Sequence, residues 1–189
     1  MTAEHGEYFR AIIGPRHVLE DAAEREYYCT DISGTADAIA ALVLQPGTVD
    51  ELVTCVRTAA KLDMAILARG GGMSYSKGYV PTRLRSVIID MRRLNRIIEI
   101  NAAQGFVSVE AGCTWKSLYE ALSAQHLRPP FFGPLSGAIA TIGGSAAQNA
   151  AFFGSASHGS MRDNVLGLEI VGADGELFRL SPPATAPEV

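Results

Sequence analysis

Ala65–Pro81 reads AILARGGGMSYSKGYVP, a short apolar strand that runs straight into Arg69-Gly70-Gly71-Gly72. Three consecutive glycines make a backbone that can take positive φ and that presents no Cβ to a ligand. Successive N–H groups in such a turn converge into a concave anion site, and Arg69, Ser74 and Ser76 stand beside this one. The loop reads as a cradle for phosphate or pyrophosphate, or as a plain flexible turn. Neither GxGxxG nor GxxxxGK[ST] occurs, so a Rossmann site and a P-loop are both unsupported.

A second glycine segment bears on the choice. Pro134–Gly144, PLSGAIATIGG, continues through SAAQNAAFFGSASHG to Gly159, almost all small residues and nearly uncharged. Small side chains over such a length mean that backbone approaches something closely, either other backbone or a ligand. Ser136, Thr141 and Asn149 add hydroxyl and amide groups that can bond phosphate or ring atoms. Two such loops fit an extended dinucleotide better than two unrelated tight contacts.

Between them the chain alternates helix and strand. Phe9–Tyr28 reads as helical, Ile39–Leu44 as a strand closed by Gln45-Pro46-Gly47, and Thr48-x-x-Glu51 as a capping box that starts a helix carrying Leu52, Val53, Val56 and Ala60. Ala65–Ala68, Ser86–Asp90, Arg96–Ile100 and Phe106–Glu110 read as strands. Thr114 can cap a helix through Ala124, with Trp115, Leu118, Tyr119 and Leu122 on its core face. Val165–Val171 and Glu176–Leu180 form a hairpin about Ala173-Asp174-Gly175. Asp163-Asn164 orders the approach to it, and Ser181–Val189, SPPATAPEV, reads as a linker or frayed tail.

These residues carry a resemblance. LQPGTVDELVTCVRTAAKLDMAILARGGG, VIIDMRRLNRIIEI, VSVEAGCTWKSLYEAL, ATIGG and HGSMRDNVLGLEIVGADGELFRL together resemble the FAD-binding domain of the vanillyl-alcohol oxidase / p-cresol methylhydroxylase (PCMH-type) superfamily. Within it the likeness is to the glycolate oxidase / D-lactate dehydrogenase branch, and it starts as early as Phe9–Gly34. The resemblance implies an α+β, two-lobed domain over 1–180. A small βαβ lobe at about 36–90 is expected to precede a larger mixed-sheet lobe at about 91–180, whose C-terminal part is expected to be missing.

The resemblance also implies roles. Arg69, Gly70, Gly71, Gly72, Met73 and Ser74 match the loop that wraps the FAD pyrophosphate. Pro134, Leu135 and Ser136 match a turn near the flavin. Thr141, Ile142, Gly143 and Gly144 match the TIGG turn along the cofactor, and Asn149 and Gly159 match a family asparagine and glycine. Ala151, Phe152, Phe153 and His158 depart from the pattern. Some relatives link flavin to a histidine at the position of Met73; methionine cannot form that bond, so the FAD is expected to be non-covalent. The parent enzyme would oxidise a small 2-hydroxy acid, passing hydride to the flavin. A cap domain, or a partner subunit in a hetero- or homo-oligomer, would complete it. A non-catalytic flavin-binding subunit, an interaction scaffold and a sugar-nucleotide enzyme on the same fold stay open, and no catalytic residue is assigned.

Composition is consistent with this. The 189 residues are 48% apolar and 19% charged, with a net charge of −4, enough for a substantial core and a poor match to nucleic acid. No apolar run approaches the ~18 residues of a membrane span, and MTAEHGEYFR lacks the charged-then-apolar pattern of a signal peptide. Cys29, Cys55 and Cys113 form no metal motif and suit a reducing cytoplasm. Cys113 reads as a buried thiol rather than a flavin link. His5 and His17 read as solvated and His126 as a helix end. For His158 an active-site role and a hydrogen-bonding role are both open. No GxSxG or HExxH occurs.

Overall fold

The computed structural model describes residues 2–131 and 133–180; the tail expected at 181–189 lies outside the described residues. The chain opens with α1 (Thr2–Ile13) and, after a single 3-10 turn at Pro15–His17, forms the short strand β1 (Val18–Leu19) and then α2 (Ala22–Tyr28). The single helix expected over Phe9–Tyr28 is therefore two. Gly14 sits at φ 80, and Pro15 has no N–H with which to continue a helix. Asp21 restarts it by accepting from the N–H groups of Ala23 and Glu24.

A hairpin, β2 (Thr30–Asp31) and β3 (Gly34–Thr35), leads to β4 (Leu42–Leu44), α3 (Val49–Lys61), β5 (Ala65–Arg69) and β6 (Ser86–Asp90). The first sheet has the order β1-β4-β6-β5, with β4, β6 and β5 parallel and β1 antiparallel at the edge. Leu42-Val43-Leu44 and Val87-Ile88-Ile89 are buried on both faces, the uninterrupted apolar run that a covered parallel sheet requires. Phe9, Ile13, Cys55 and Ala59 pack with Leu42, Leu44 and Val87, while Tyr28, Cys29 and Ala40 pack with Val43 and Ile88. Residues ahead of 36 thus form part of this core. The β4 strand starts later than Ile39 because Ala40 donates its N–H to the Cys29 sulfur and its carbonyl accepts from Arg25. Thr48 caps α3 by accepting from the Glu51 N–H, but the Glu51 carboxylate reaches one residue further back, to the N–H of Gly47 (2.6 Å).

The second half carries its strands as antiparallel pairs: β7 (Ile97–Asn101) with β8 (Phe106–Val109), and β9 (Leu168–Val171) with β10 (Leu177–Leu180). Between them lie α4 (Trp115–Ser123), α5 (Ile142–Ala147), α6 (Ser155–His158) and α7 (Met161–Asn164). On α4, Trp115, Leu118 and Leu122 are buried, but Tyr119 is 50% exposed and does not join the core as its spacing suggested. Trp115 anchors an aromatic cluster, its ring centroid 5.6 Å from Phe131 and 5.1 Å from Phe152, and its indole N–H donates to Ser145. Phe152 therefore fills core, while Phe153 faces solvent. One face of the β9–β10 hairpin, Leu168, Ile170, Phe178 and Leu180, is apolar and exposed. The three cysteines are free and buried; burial pushes the Cys55 thiol up to about 12. Among the described residues no helix is long and apolar enough to cross a membrane, and no group of His, Cys, Asp and Glu could hold a metal.

Candidate functional site

The parallel strands β4, β6 and β5 deliver Gln45, Asp90 and Arg69 to one edge of the sheet, the carboxyl end at which open α/β sheets build their sites. The glycine loop leaves from that edge and meets the second small-residue segment face to face. A Cβ on Gly71 would lie 2.6 Å from the carbonyl carbon of Ile139, and closer still to its oxygen. One on Gly70 would overlap the Thr141 hydroxyl, and one on Gly72, at φ +76, would come within 2.8 Å of the Arg69 guanidinium carbon. The glycines are thus demanded by the contact between the two loops, whatever else they do.

That contact leaves the glycine loop's donors free. Among the described residues the N–H groups of Gly71, Gly72 and Met73 have no hydrogen-bond acceptor. Polar backbone in that condition calls for water or an anionic ligand. The opposing segment differs. Ile142 donates to the carbonyl of Cys113 and Gly143 to that of Ala111 (2.8 Å each), and Gly144 donates to the Thr141 hydroxyl, which caps α5. Thr141 is buried and pairs with Thr114 in an isolated bridge. Thr141–Gly144 therefore forms a fixed wall in which the N–H groups of Ile142, Gly143 and Gly144 are already taken.

Arg69 lies beneath the loop, 3% exposed, and its Nε and Nη1 have no hydrogen-bond partner. Three tyrosine rings surround its guanidinium carbon, Tyr28 at 4.8 Å, Tyr79 at 5.4 Å and Tyr27 at 5.5 Å. Its neighbour across the sheet, Asp90, is committed elsewhere. Asp90 accepts from Arg92 Nε and Nη2 (2.9 Å each), from the Tyr28 hydroxyl (2.9 Å) and from Gln45 (3.1 Å). Burial raises the Asp90 pKa, but its hydrogen bonds and ion pair with Arg92 outweigh this and hold the carboxyl below the ordinary aspartate range. The Tyr28 phenol moves up, first from burial and then from the Asp90 charge.

The other expected site residues fall in several places. Ser74 is buried; its hydroxyl accepts from the Ser76 N–H and its carbonyl from Ile32, which clasps the loop to the β2–β3 hairpin. Met73 packs against the Trp115 cluster. Pro134–Ile139 forms a turn closed by Gly137 N–H to the Pro134 carbonyl, with Leu135 94% exposed at its tip and Ser136 accepting from Ile139 and Ala140. Asn149, at φ 45, accepts through its side chain from Ser160 and Arg162, and a Cβ on Gly159 would strike Asp163. Their hydrogen bonds tie this region to itself and not to the glycine loop. Asp163 and Asn164 bind Ser160 and the His158 carbonyl, a purely ordering role. A cavity of about 410 Å³ opens beside the loop, lined by Arg92, Asn95, Thr114, Ser117, Ala138 and the Ile139 that faces Gly71. Tyr27, Tyr28, Tyr79, Gln45, Asp90 and Arg92 lie within quoted segments, yet the sequence reading gives none of them a site role.

An anion fits what is present: a run of free N–H groups with a positive-φ glycine, above a buried cation two of whose nitrogens lack acceptors. Comparison with known proteins agrees. A family model described as an FAD binding domain matches residues 40–181. The mitochondrial D-2-hydroxyglutarate dehydrogenase of Arabidopsis thaliana is 28% identical over 171 residues, covering 90% of this chain and 30% of that protein. The glycolate oxidase subunit GlcD of Bacillus subtilis is 27% identical over 180 residues, covering 95% and 38%. This chain spans about a third of the length of such relatives. Among solved structures, an alkyldihydroxyacetonephosphate synthase superposes with a TM-score of 0.85 at 21% identity, over 98% of this chain and 36% of that one. A substrate-bound p-cresol methylhydroxylase gives 0.81 at 21%, over 94% and 35%. The fold, the free donors of the glycine loop and the match over most of the sequence lead to one assignment: the chain belongs to the PCMH-type FAD binding domain family.

Proposed function

We propose that this domain holds FAD without a covalent bond, its diphosphate on the Arg69–Met73 loop, and that the whole protein oxidises a small 2-hydroxy acid to the 2-keto acid. The observation that carries the reading is the run of unsatisfied N–H groups at Gly71, Gly72 and Met73 above buried Arg69. Bound flavin supplies the hydride acceptor. This chain supplies binding and exclusion. Gly70 and Gly71 let the loop close on Thr141 and Ile139, and Arg69 places positive charge behind it. Pro134, Leu135, Ser136, Thr141, Ile142, Gly143, Gly144, Asn149 and Gly159 would line or brace the remainder, the first three on a turn whose tip is bare of protein contacts. Ser74 would brace the loop through Ser76 and Ile32 rather than reach the ligand. Met73 offers no imidazole to flavin, in keeping with non-covalent binding.

Names of relatives support the substrate class: one acts on glycolate and others on D-2-hydroxyglutarate. A second reading, a flavin-holding unit that turns over only with further polypeptide, draws support from the exposed apolar face of the β9–β10 hairpin. Residence in the cytoplasm belongs to the same proposal, on the support of three buried, unpaired cysteines. The test is the visible spectrum of the purified chain after excess FAD is added and unbound cofactor removed. A retained, structured flavin band supports the reading. A folded, colourless protein counts against FAD binding by this chain alone and favours a unit that needs further polypeptide even to hold flavin.

A further inference from the structure

Arg69 poses an electrostatic problem that its surroundings do not solve. A guanidinium stays charged at any accessible pH, and burying an unpaired charge is costly. Arg69 is 3% exposed, two of its nitrogens lack acceptors, and it forms no ion pair among the described residues. The nearest acid across the sheet, Asp90, is already bound by Arg92, Tyr28 and Gln45. Tyrosine faces and a hydrogen bond with the Tyr79 hydroxyl offset part of the penalty but bring no negative charge. The guanidinium lies directly against Gly72, on the inner side of the loop whose N–H groups are free. Its burial keeps it from direct contact with anything on the outer side.

We propose that Arg69 is an electrostatic positioning residue: a caged cation that never touches the ligand but acts through the Arg69–Met73 backbone to select a diphosphate over an uncharged ligand at the same loop. This rests on the reading of the loop as the diphosphate site. At an effective dielectric near 20 a unit charge acting over about 6 Å changes binding of a doubly charged group by at least tenfold. The three rings hold the cation at fixed depth, so the bound anion needs no direct arginine clamp.

The test uses inorganic pyrophosphate and riboflavin as separate probes on the full chain and on Arg69→Met and Arg69→Lys. Wild type and Arg69→Lys are expected to gain thermal stability from pyrophosphate, with a salt-sensitive apparent Kd, and Arg69→Met to lose at least tenfold in that affinity. Riboflavin, which carries no phosphate, should bind all three alike or none of them. Equal pyrophosphate binding by wild type and Arg69→Met, absence of pyrophosphate binding in wild type, or parallel losses for both probes would overturn the proposal. Should Arg69→Met fail to fold, Arg69→Lys decides: retention of pyrophosphate binding supports a charge acting through the loop, and its loss in a folded protein refutes it. FAD retention is scored independently, so a wild type that binds pyrophosphate but not FAD refutes the cofactor reading and leaves the role of Arg69 standing.

Discussion

Gly71→Ala isolates the contact between the two loops. Gly71 is not at positive φ, so alanine meets no backbone strain there, and the whole effect comes from space. Its Cβ would lie 2.6 Å from the carbonyl carbon of Ile139, against the 3.4 Å at which ordinary contact begins. Ile139 cannot easily retreat, because Ala140 accepts from Trp115, Gly137 from Lys116, and Ile142 and Gly143 are bonded to Cys113 and Ala111. The glycine loop must therefore give, by about 1 Å, at a cost of about 1–3 kcal/mol. If that cost falls on the native fold, the melting temperature drops by about 3–10 °C. If it falls only on the ligand-ready loop, FAD affinity drops by about 5- to 150-fold. Thermal unfolding and flavin-fluorescence titration, with Gly78→Ala as reference, separate the two. A Cβ on Gly78 meets nothing nearer than 3.8 Å. Indistinguishable behaviour of Gly71→Ala and Gly78→Ala in both assays would refute the packing argument.

Asp90 carries a pH signature. Its folded pKa lies below the unfolded value of 3.8, so its contribution is complete above that value and is lost as pH falls through the folded pKa. Asp90→Asn should lower stability by about 2–3 kcal/mol at neutral pH, and urea unfolding should show the gap from wild type closing below pH 4. Phe152→Ala should cost about 2–3 kcal/mol by opening the Trp115–Phe131 cluster, whereas exposed Phe153→Ala should leave the urea midpoint unchanged. Acid precipitation of the FAD-loaded protein should release all flavin to the supernatant, measured by its absorbance, because Met73 offers no site for a histidyl link.

Much of the scaffold is legible because single residues announce it. Thr48 and Thr114 mark helix starts, the apolar run at Ser86–Asp90 marks a covered parallel strand, and Asp174-Gly175 marks the last hairpin. The break at Gly14-Pro15 is equally written, but apolar residues on both sides of it imitate one amphipathic helix. For the site, the glycine loop and its opposing segment can be found as compositions, since closeness demands small residues. Why each glycine is needed cannot, because Gly71 answers to Ile139, a residue almost seventy positions away. The Tyr28–Asp90 bond and the Arg69 cage join parts of the chain that share no local pattern. Ser74 reads as an available hydroxyl yet holds Ser76, a choice fixed by burial alone.

Trp115 is the chain's only tryptophan, and its position makes it an optical gauge. A Cβ on Gly133 would lie 2.8 Å from its ring and one on Gly137 would lie 3.2 Å from its own Cβ, so the Pro134–Ile139 turn rests on this one residue at its entry and at its middle. Its indole N–H is held by Ser145, on the helix that Thr141 caps. Excited at the red edge of the absorption, where the tyrosines hardly absorb, the protein therefore emits from the seam between the turn and the wall. A ligand that shifts the turn must change the colour or yield of that single emitter, and one that engages only the glycine loop need not.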